Sequence, residues 1–112
     1  IMKSNGSKFW YVNGELHRNN GPAAIYLTGS LKEWWVNGKR HRIDGPAVEC
    51  SPGSKEWWVN GKRHRINGPA VEKSDGSKKW WIDGKEYTKE DYWKKMYEIK
   101  VITKEELFLK LL

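Results

Sequence analysis

The 112 residues carry a single cysteine, Cys50, so no disulfide can close within the chain and the small, multiply bridged secreted domain is excluded. A reducing, cytoplasmic setting is the expectation. Long apolar runs are also missing: Trp34-Trp35-Val36 and Leu107-Phe108-Leu109 stand far below the roughly 20 residues that span a bilayer. No stable membrane insertion is expected. The opening from Ile1 to Trp10 is polar and glycine-containing and lacks the apolar stretch of about seven residues that an export signal needs. Ile1 ahead of Met2 reads as a remnant before a natural start at Met2. Phosphate-binding glycine loops are absent too, because the glycines fall at turns and build neither a P-loop nor a dinucleotide fingerprint between strand and helix. No cofactor is expected.

Aromatic residues are plentiful. Eight Trp, five Tyr and two Phe are too many for a disordered tail, so the chain folds, as one domain or as one repeat array with an appendage. Twenty-one Lys and Arg against fourteen Asp and Glu leave a net charge of +7, which suits polyanions, acidic proteins or anionic surfaces. Residues 1–87 carry +6 of this charge. The remainder, 88–112, is nearly balanced, with six Lys against five acids.

Self-similarity organises the rest. The stretch from Trp34 to Glu49 recurs almost unchanged from Trp57 to Glu72, a period of 23 residues. A more divergent copy precedes it, with Trp10-Tyr11-Val12-Asn13-Gly14, His17-Arg18 and Gly21-Pro22-Ala23, and a truncated one follows from Trp80 to Lys85. Three full units and a half therefore make an elongated array with local contacts. Asn13-Gly14, Asn37-Gly38, Asn60-Gly61 and Asp83-Gly84 each supply the two positive-φ positions of a type I′ hairpin turn. Counting back from the turn sets Val36 opposite Lys39, Trp35 opposite Arg40, Trp34 opposite His41 and Glu33 opposite Arg42. The third unit repeats this, with Trp58 and Arg63, Trp57 and His64, and Glu56 and Arg65. The Asx-Gly-Pro triplets at 20–22, 44–46 and 67–69 end or bulge the second strand, with glycine supplying an unusual φ. Ala-Val-Glu resumes as a short strand. The expected fold is mainly β: an antiparallel meander of stacked hairpins over 1–87, with a C-terminal helical cap over 88–112.

Thr88-Lys89-Glu90-Asp91 and Thr103-Lys104-Glu105-Glu106 read as helix-opening capping boxes, the first with Asp at its last position. Apolar residues at 92, 93, 96, 97 and 99 make the first helix amphipathic. Repeat arrays need covered ends, which favours a cap for both helices. The apolar run from Leu107 to Leu112 points instead to dimerisation or partner docking.

The segments Trp35-Val36-Asn37-Gly38-Lys39-Arg40-His41 and Trp58-Val59-Asn60-Gly61-Lys62-Arg63-His64, with the 23-residue period, resemble the MORN repeat across residues 7 to 87. The doubled Trp and the His-Arg-x-Asx-Gly-Pro-Ala signature resemble repeats of bacteriophage and giant-virus proteins. The chain departs from the standard unit at Arg18, Arg42 and Arg65, where that family has glycine after the His. The resemblance implies hairpin stacks that scaffold, dimerise or bind proteins, with lipid binding sometimes proposed, and it implies no catalysis. It also places an interior Trp at Trp35 and Trp58.

Successive units lie two strands, or about 10 Å, apart, so His17, His41 and His64 cannot converge on one metal whose ligands sit roughly 2 Å away. Repeated residues on a narrow sheet offer no convergent catalytic constellation, and no enzyme is expected. The candidate binding residues are the stripe Tyr11, Trp35, Trp58 and Trp81 with Arg40, Arg42, Arg63 and Arg65, which the register places on one face. Indole beside guanidinium suits a protein interface or stacking on bases. The bland alternative is arginines lying on Trp rings as lids, each worth roughly 0.5–1 kcal/mol. A protein-interaction module, of phage or viral origin and directed at a host or defence component, is the first expectation. Nucleic-acid or nucleotide binding is the second. Homodimerisation through a strand edge near residues 3–12 or through the terminal helix fits both.

Overall fold

The computed structural model describes residues 6–112. At each hairpin tip the Asn-Gly or Asp-Gly pair takes the two positive-φ positions: Asn13, Asn37, Asn60 and Asp83 have φ near 50°, and the following glycines lie between 75° and 81°. The turn chemistry read from the sequence is the one the backbone uses.

Unit one contains β1 (Lys8–Phe9), β2 (Tyr11–Val12), β3 (Glu15–Leu16) and β4 (Ala24–Tyr26). Unit two contains β5 (Leu31–Glu33), β6 (Trp35–Val36), β7 (Lys39–Arg40) and β8 (Val48–Cys50). Unit three contains β9 (Ser54–Glu56), β10 (Trp58–Val59), β11 (Lys62–Arg63) and β12 (Val71–Glu72). The half unit supplies β13 (Lys78–Ile82) and β14 (Lys85–Tyr87). Two helices follow, α1 (Lys89–Glu98) and α2 (Lys104–Lys110).

The strands do not lie in one sheet. An eight-stranded antiparallel sheet runs in the order β1-β4-β5-β8-β9-β12-β13-β14, and β2-β3, β6-β7 and β10-β11 are separate two-stranded ribbons. The chain passes from sheet to ribbon at Trp10, Trp34 and Trp57, the corner of each unit. There Trp34 donates its N–H to Ala47 O at 2.8 Å, across the sheet, while its carbonyl accepts from His41 N–H at 3.0 Å, across the ribbon. Adjacent ribbons are also tied, because Gly38 N–H donates to Leu16 O and Gly61 N–H to Arg40 O.

The hairpin register holds up to the corner. Trp35 pairs with Arg40, Val36 with Lys39, Trp58 with Arg63 and Val59 with Lys62. Beyond the corner it fails, since Glu33 pairs with Val48 and Ala24 rather than Arg42, and Glu56 with Val71 and Val48 rather than Arg65. The chain changes sheets at the Trp, so counting from the turn no longer applies.

The array has little conventional core. Ala23, Ala24, Ala47, Val48, Ala70 and Val71 are buried where the main sheet turns its inner face, and two Trp stripes, the first of Trp10, Trp34, Trp57 and Trp80 and the second of Trp35, Trp58 and Trp81, are half-buried. A second cluster of Tyr92, Trp93, Met96 and Ile102 packs on Trp80, Ile82, Tyr87 and Leu107. Both capping boxes form in part or whole. Thr88 Oγ1 accepts from Asp91 N–H, and Thr103 and Glu106 cap each other reciprocally. Helix α1 covers the last strands. Helix α2 buries none of its residues fully and leaves Phe108 and Leu109 in solvent, where Leu112 beyond its end also lies, while Tyr97 and Ile99 of the predicted apolar face of the first helix are also exposed.

Candidate functional site

The arginines of the candidate set divide between two faces. Arg42 and Arg65 do not join Trp35 and Trp58. Their guanidinium carbons lie 3.9 and 3.7 Å above the rings of Trp34 and Trp57, and Arg18 sits 3.9 Å above Trp10. The reason is again the corner, after which the chain leaves the ribbon and carries these side chains over the first Trp stripe. Arg42 then donates to Asp44 Oδ1 (3.0 Å), Pro46 O (3.0 Å) and Glu49 Oε2 (3.3 Å). Arg65 donates to Pro69 O (3.0 Å) and Glu72 Oε2 (3.1 Å).

The glycine of each Asx-Gly-Pro triplet is explained by this packing and not by φ, which lies outside the left-handed region at Gly21, Gly45 and Gly68. A Cβ there would stand 3.0, 3.0 and 2.8 Å from the guanidinium carbons of Arg18, Arg42 and Arg65. Each guanidinium is thus clamped between an indole and a glycine. Arg18, Arg42 and Arg65 each fill a slot that their own loop is shaped to hold.

On the opposite face, Trp35, Arg40, Trp58, Arg63 and Trp81 alternate along the array. Arg40 lies 5.2 Å from both Trp35 and Trp58, and Arg63 lies 4.9 Å from Trp58 and 5.2 Å from Trp81. Glu33, buried at the end of β5, accepts from Trp35 Nε1 at 3.0 Å and Arg40 Nη2 at 2.9 Å. Glu56 accepts from Trp58 Nε1 at 2.9 Å and faces Arg63 at 3.5 Å. In unit one the ladder stops, with Leu16 opposite exposed Tyr11 where later units have arginine. At the other end Lys79 takes the place of the glutamate, and the buried Trp81 Nε1 finds no acceptor among the described residues. The four glutamates that hold these arginines were missed as site residues, although one signal was present: Glu33 to Arg40, Glu56 to Arg63, Arg42 to Glu49 and Arg65 to Glu72 are all seven apart.

The histidines tie units together. Nδ1 of His17, His41 and His64 accepts, at 3.0 Å, the N–H of Asn37, Asn60 and Asp83, the first turn residue of the next hairpin. His17 Nε2 also lies 2.8 Å from Asn19 Oδ1, which fixes the tautomer with the proton on Nε2. Among the described residues, no three His, Cys, Asp or Glu side chains come together as metal ligands, and no helix is long and apolar enough to cross a membrane.

Between successive units runs an open groove on the face of the first Trp stripe. The first, of about 670 Å³, is lined by Arg18, Asn20, Gly21, Trp34, Val36 and Ile43 among others. The second, of about 600 Å³, is lined by the residues one repeat on, including Arg42, Asp44, Gly45, Trp57, Val59 and Ile66. Ile43 is 78% exposed and Ile66 43%, although both are large and apolar. The third position in this series, formed by Arg65, Gly68, Trp80, Ile82 and Tyr87, is closed by α1. Tyr92 is fully buried in it, accepting from Gly68 N–H at 3.0 Å and donating to Arg65 O at 2.5 Å. Burial raises the Tyr92 phenol above its ordinary pKa, and the amide donors on its oxygen oppose that shift.

Of the strand edge near residues 3–12, residues 3–5 and the Ile1-Met2 start lie outside the described residues, and β1 pairs with β4. No family model matches the chain, and neither does any curated protein or solved structure.

Proposed function

We propose that this chain is a non-catalytic, MORN-like repeat module that docks a protein partner on its grooved face. The observation that carries this reading is the pair of equivalent grooves rimmed by exposed isoleucines. A large apolar side chain kept in solvent at a repeated position beside a concavity is a feature of protein-binding surfaces. The Arg/Trp stripe supports base stacking less well. Its guanidiniums, Arg40 and Arg63, already lie by indoles and pair with Glu33 and Glu56, so a nucleobase or phosphate would have to displace contacts already made. A partner from a host or its defence machinery, with the chain itself of viral origin, is the form of this reading that the repeat signature supports.

One observation favours the second reading, nucleic-acid or nucleotide binding. Lys39, Lys62 and Lys85 are exposed, one on each of the last three hairpins, at the repeat spacing. Size exclusion with light scattering at two salt concentrations, with absorbance at 260 and 280 nm, separates the two. Protein docking expects a clean chain whose partner complex persists in salt and is lost in the Ile43→Asp/Ile66→Asp double variant. A 260/280 excess that salt removes, or a partner held equally well by the double variant, refutes it.

A further inference from the structure

We infer that the two open grooves are receptor sites for a tyrosine side chain presented by an amphipathic helix of a partner protein. This rests on the protein-docking reading and specifies its ligand.

The chain contains its own example of the complex. Moving the second groove forward by one 23-residue period converts Arg42, Gly45, Trp57 and Val59 into Arg65, Gly68, Trp80 and Ile82, the residues that receive α1. There the Tyr92 ring meets Trp80 with 6.5 Å between centroids, and its hydroxyl bridges the Gly68 amide and the Arg65 carbonyl. Among the described residues, the corresponding amides of Gly21 and Gly45 and carbonyls of Arg18 and Arg42 have no hydrogen-bond partner in the chain. Each pair offers one donor and one acceptor, the set that a phenol hydroxyl satisfies and a phenyl ring cannot.

Asn67, just before Gly68, has φ of 66° in the filled groove, whereas Asn20 and Asp44 in the open grooves are outside the left-handed region. Asn and Asp enter that region more readily than other side chains, so each open loop carries a residue able to make the same adjustment. Tyr92 reaches its groove from the first turn of α1, where Glu90 pairs with Lys94 at 2.8 Å, and Asp44 lines both open grooves beside their arginines. A tyrosine presented from the face of a helix is the chemistry these sites match.

The probes are N-acetyl-tyrosinamide and a synthetic peptide of residues 88–112, each titrated into the ¹⁵N-labelled full chain. The expected result is a saturable downfield shift of the Gly21 and Gly45 amide protons, with Gly68 unmoved because its site is filled. N-acetyl-phenylalaninamide, and the peptide with Tyr92→Phe, should bind about tenfold more weakly, the ratio expected for losing a buried hydrogen-bonding group. Unmoved Gly21 and Gly45 amides overturn the inference, as does equal binding of the tyrosine and phenylalanine probes. Adenosine monophosphate moving these amides while the tyrosine probes do not would overturn it in favour of a nucleobase. If the grooves are silent while a salt-resistant partner complex still depends on Ile43 and Ile66, the docking reading stands without the tyrosine site.

Discussion

Replacing Tyr92 by phenylalanine should open the C-terminal end of the array while leaving the hairpins standing. The substitution keeps the ring against Trp80 and Trp93 and removes only the hydroxyl. Two groups are then stranded, the Gly68 N–H and the Arg65 carbonyl, in a position where the ring above them is fully buried. A buried polar group without a partner costs about 1–3 kcal/mol, and relaxation of the loop around Asn67 will recover part of it, so a loss of about 2–4 kcal/mol is expected. For a chain of this length that corresponds to a fall of roughly 10–15 °C in melting temperature. Urea titration followed by far-ultraviolet circular dichroism and Trp fluorescence supplies the free energy, and hydrogen exchange at the Gly68 amide locates it. Contacts in a repeat array are local, so the Asn37 and Asn60 amides held by His17 and His41 should keep their protection. A loss below about 0.5 kcal/mol with Gly68 still protected would refute the claim that this hydroxyl pins α1 to the array.

Gly45→Ala should cost about 1–2 kcal/mol by pushing Arg42 off Trp34, whereas Gly53→Ala, where the new methyl meets Ser74 at 4.0 Å, should change thermal stability by less than about 0.5 kcal/mol. His41→Ala should destabilise by about 1 kcal/mol in urea melts and shift the Asn60 amide resonance, because that N–H loses its acceptor. Because the folded state raises the Tyr92 pKa, the unfolded chain ionises first. Stability present below about pH 10 should then fall as pH rises through the folded value, and a smaller alkaline loss in Tyr92→Phe checks this. Met96→Ala should cost about 2–5 kcal/mol and Phe108→Ser less than about 0.5 kcal/mol by thermal melts, since the first is fully buried and the second 67% exposed.

Repeat period, turn type and hairpin register were legible because each is written in residues adjacent along the chain. The Asn-Gly backbone needs no tertiary context to prefer positive φ, and Trp35 opposite Arg40 follows by counting two steps from it. Legibility ended at Trp34, where the strand changes sheets. Nothing in the alternation of side chains announces that bend, so Arg42 was assigned to the face of Trp35 when it lies on Trp34. The role of Gly45 was misread for the same reason, a guanidinium arriving from three residues earlier being invisible to a rule about φ. Both helices were legible from their caps. That Tyr92 would enter the third inter-unit groove was not, because groove and helix belong to different parts of the sequence and meet only after docking.

The histidine tie and the Trp-Arg ladder join each unit only to its neighbour, and the joint between units two and three is remade between unit three and the half unit. A further 23-residue copy spliced between them would therefore meet compatible surfaces on both sides. It would lengthen the 52 Å molecule by about 10 Å, two strand spacings, and add one more groove. Length and number of grooves therefore rise together, in whole steps of one repeat, without a new interface having to be invented.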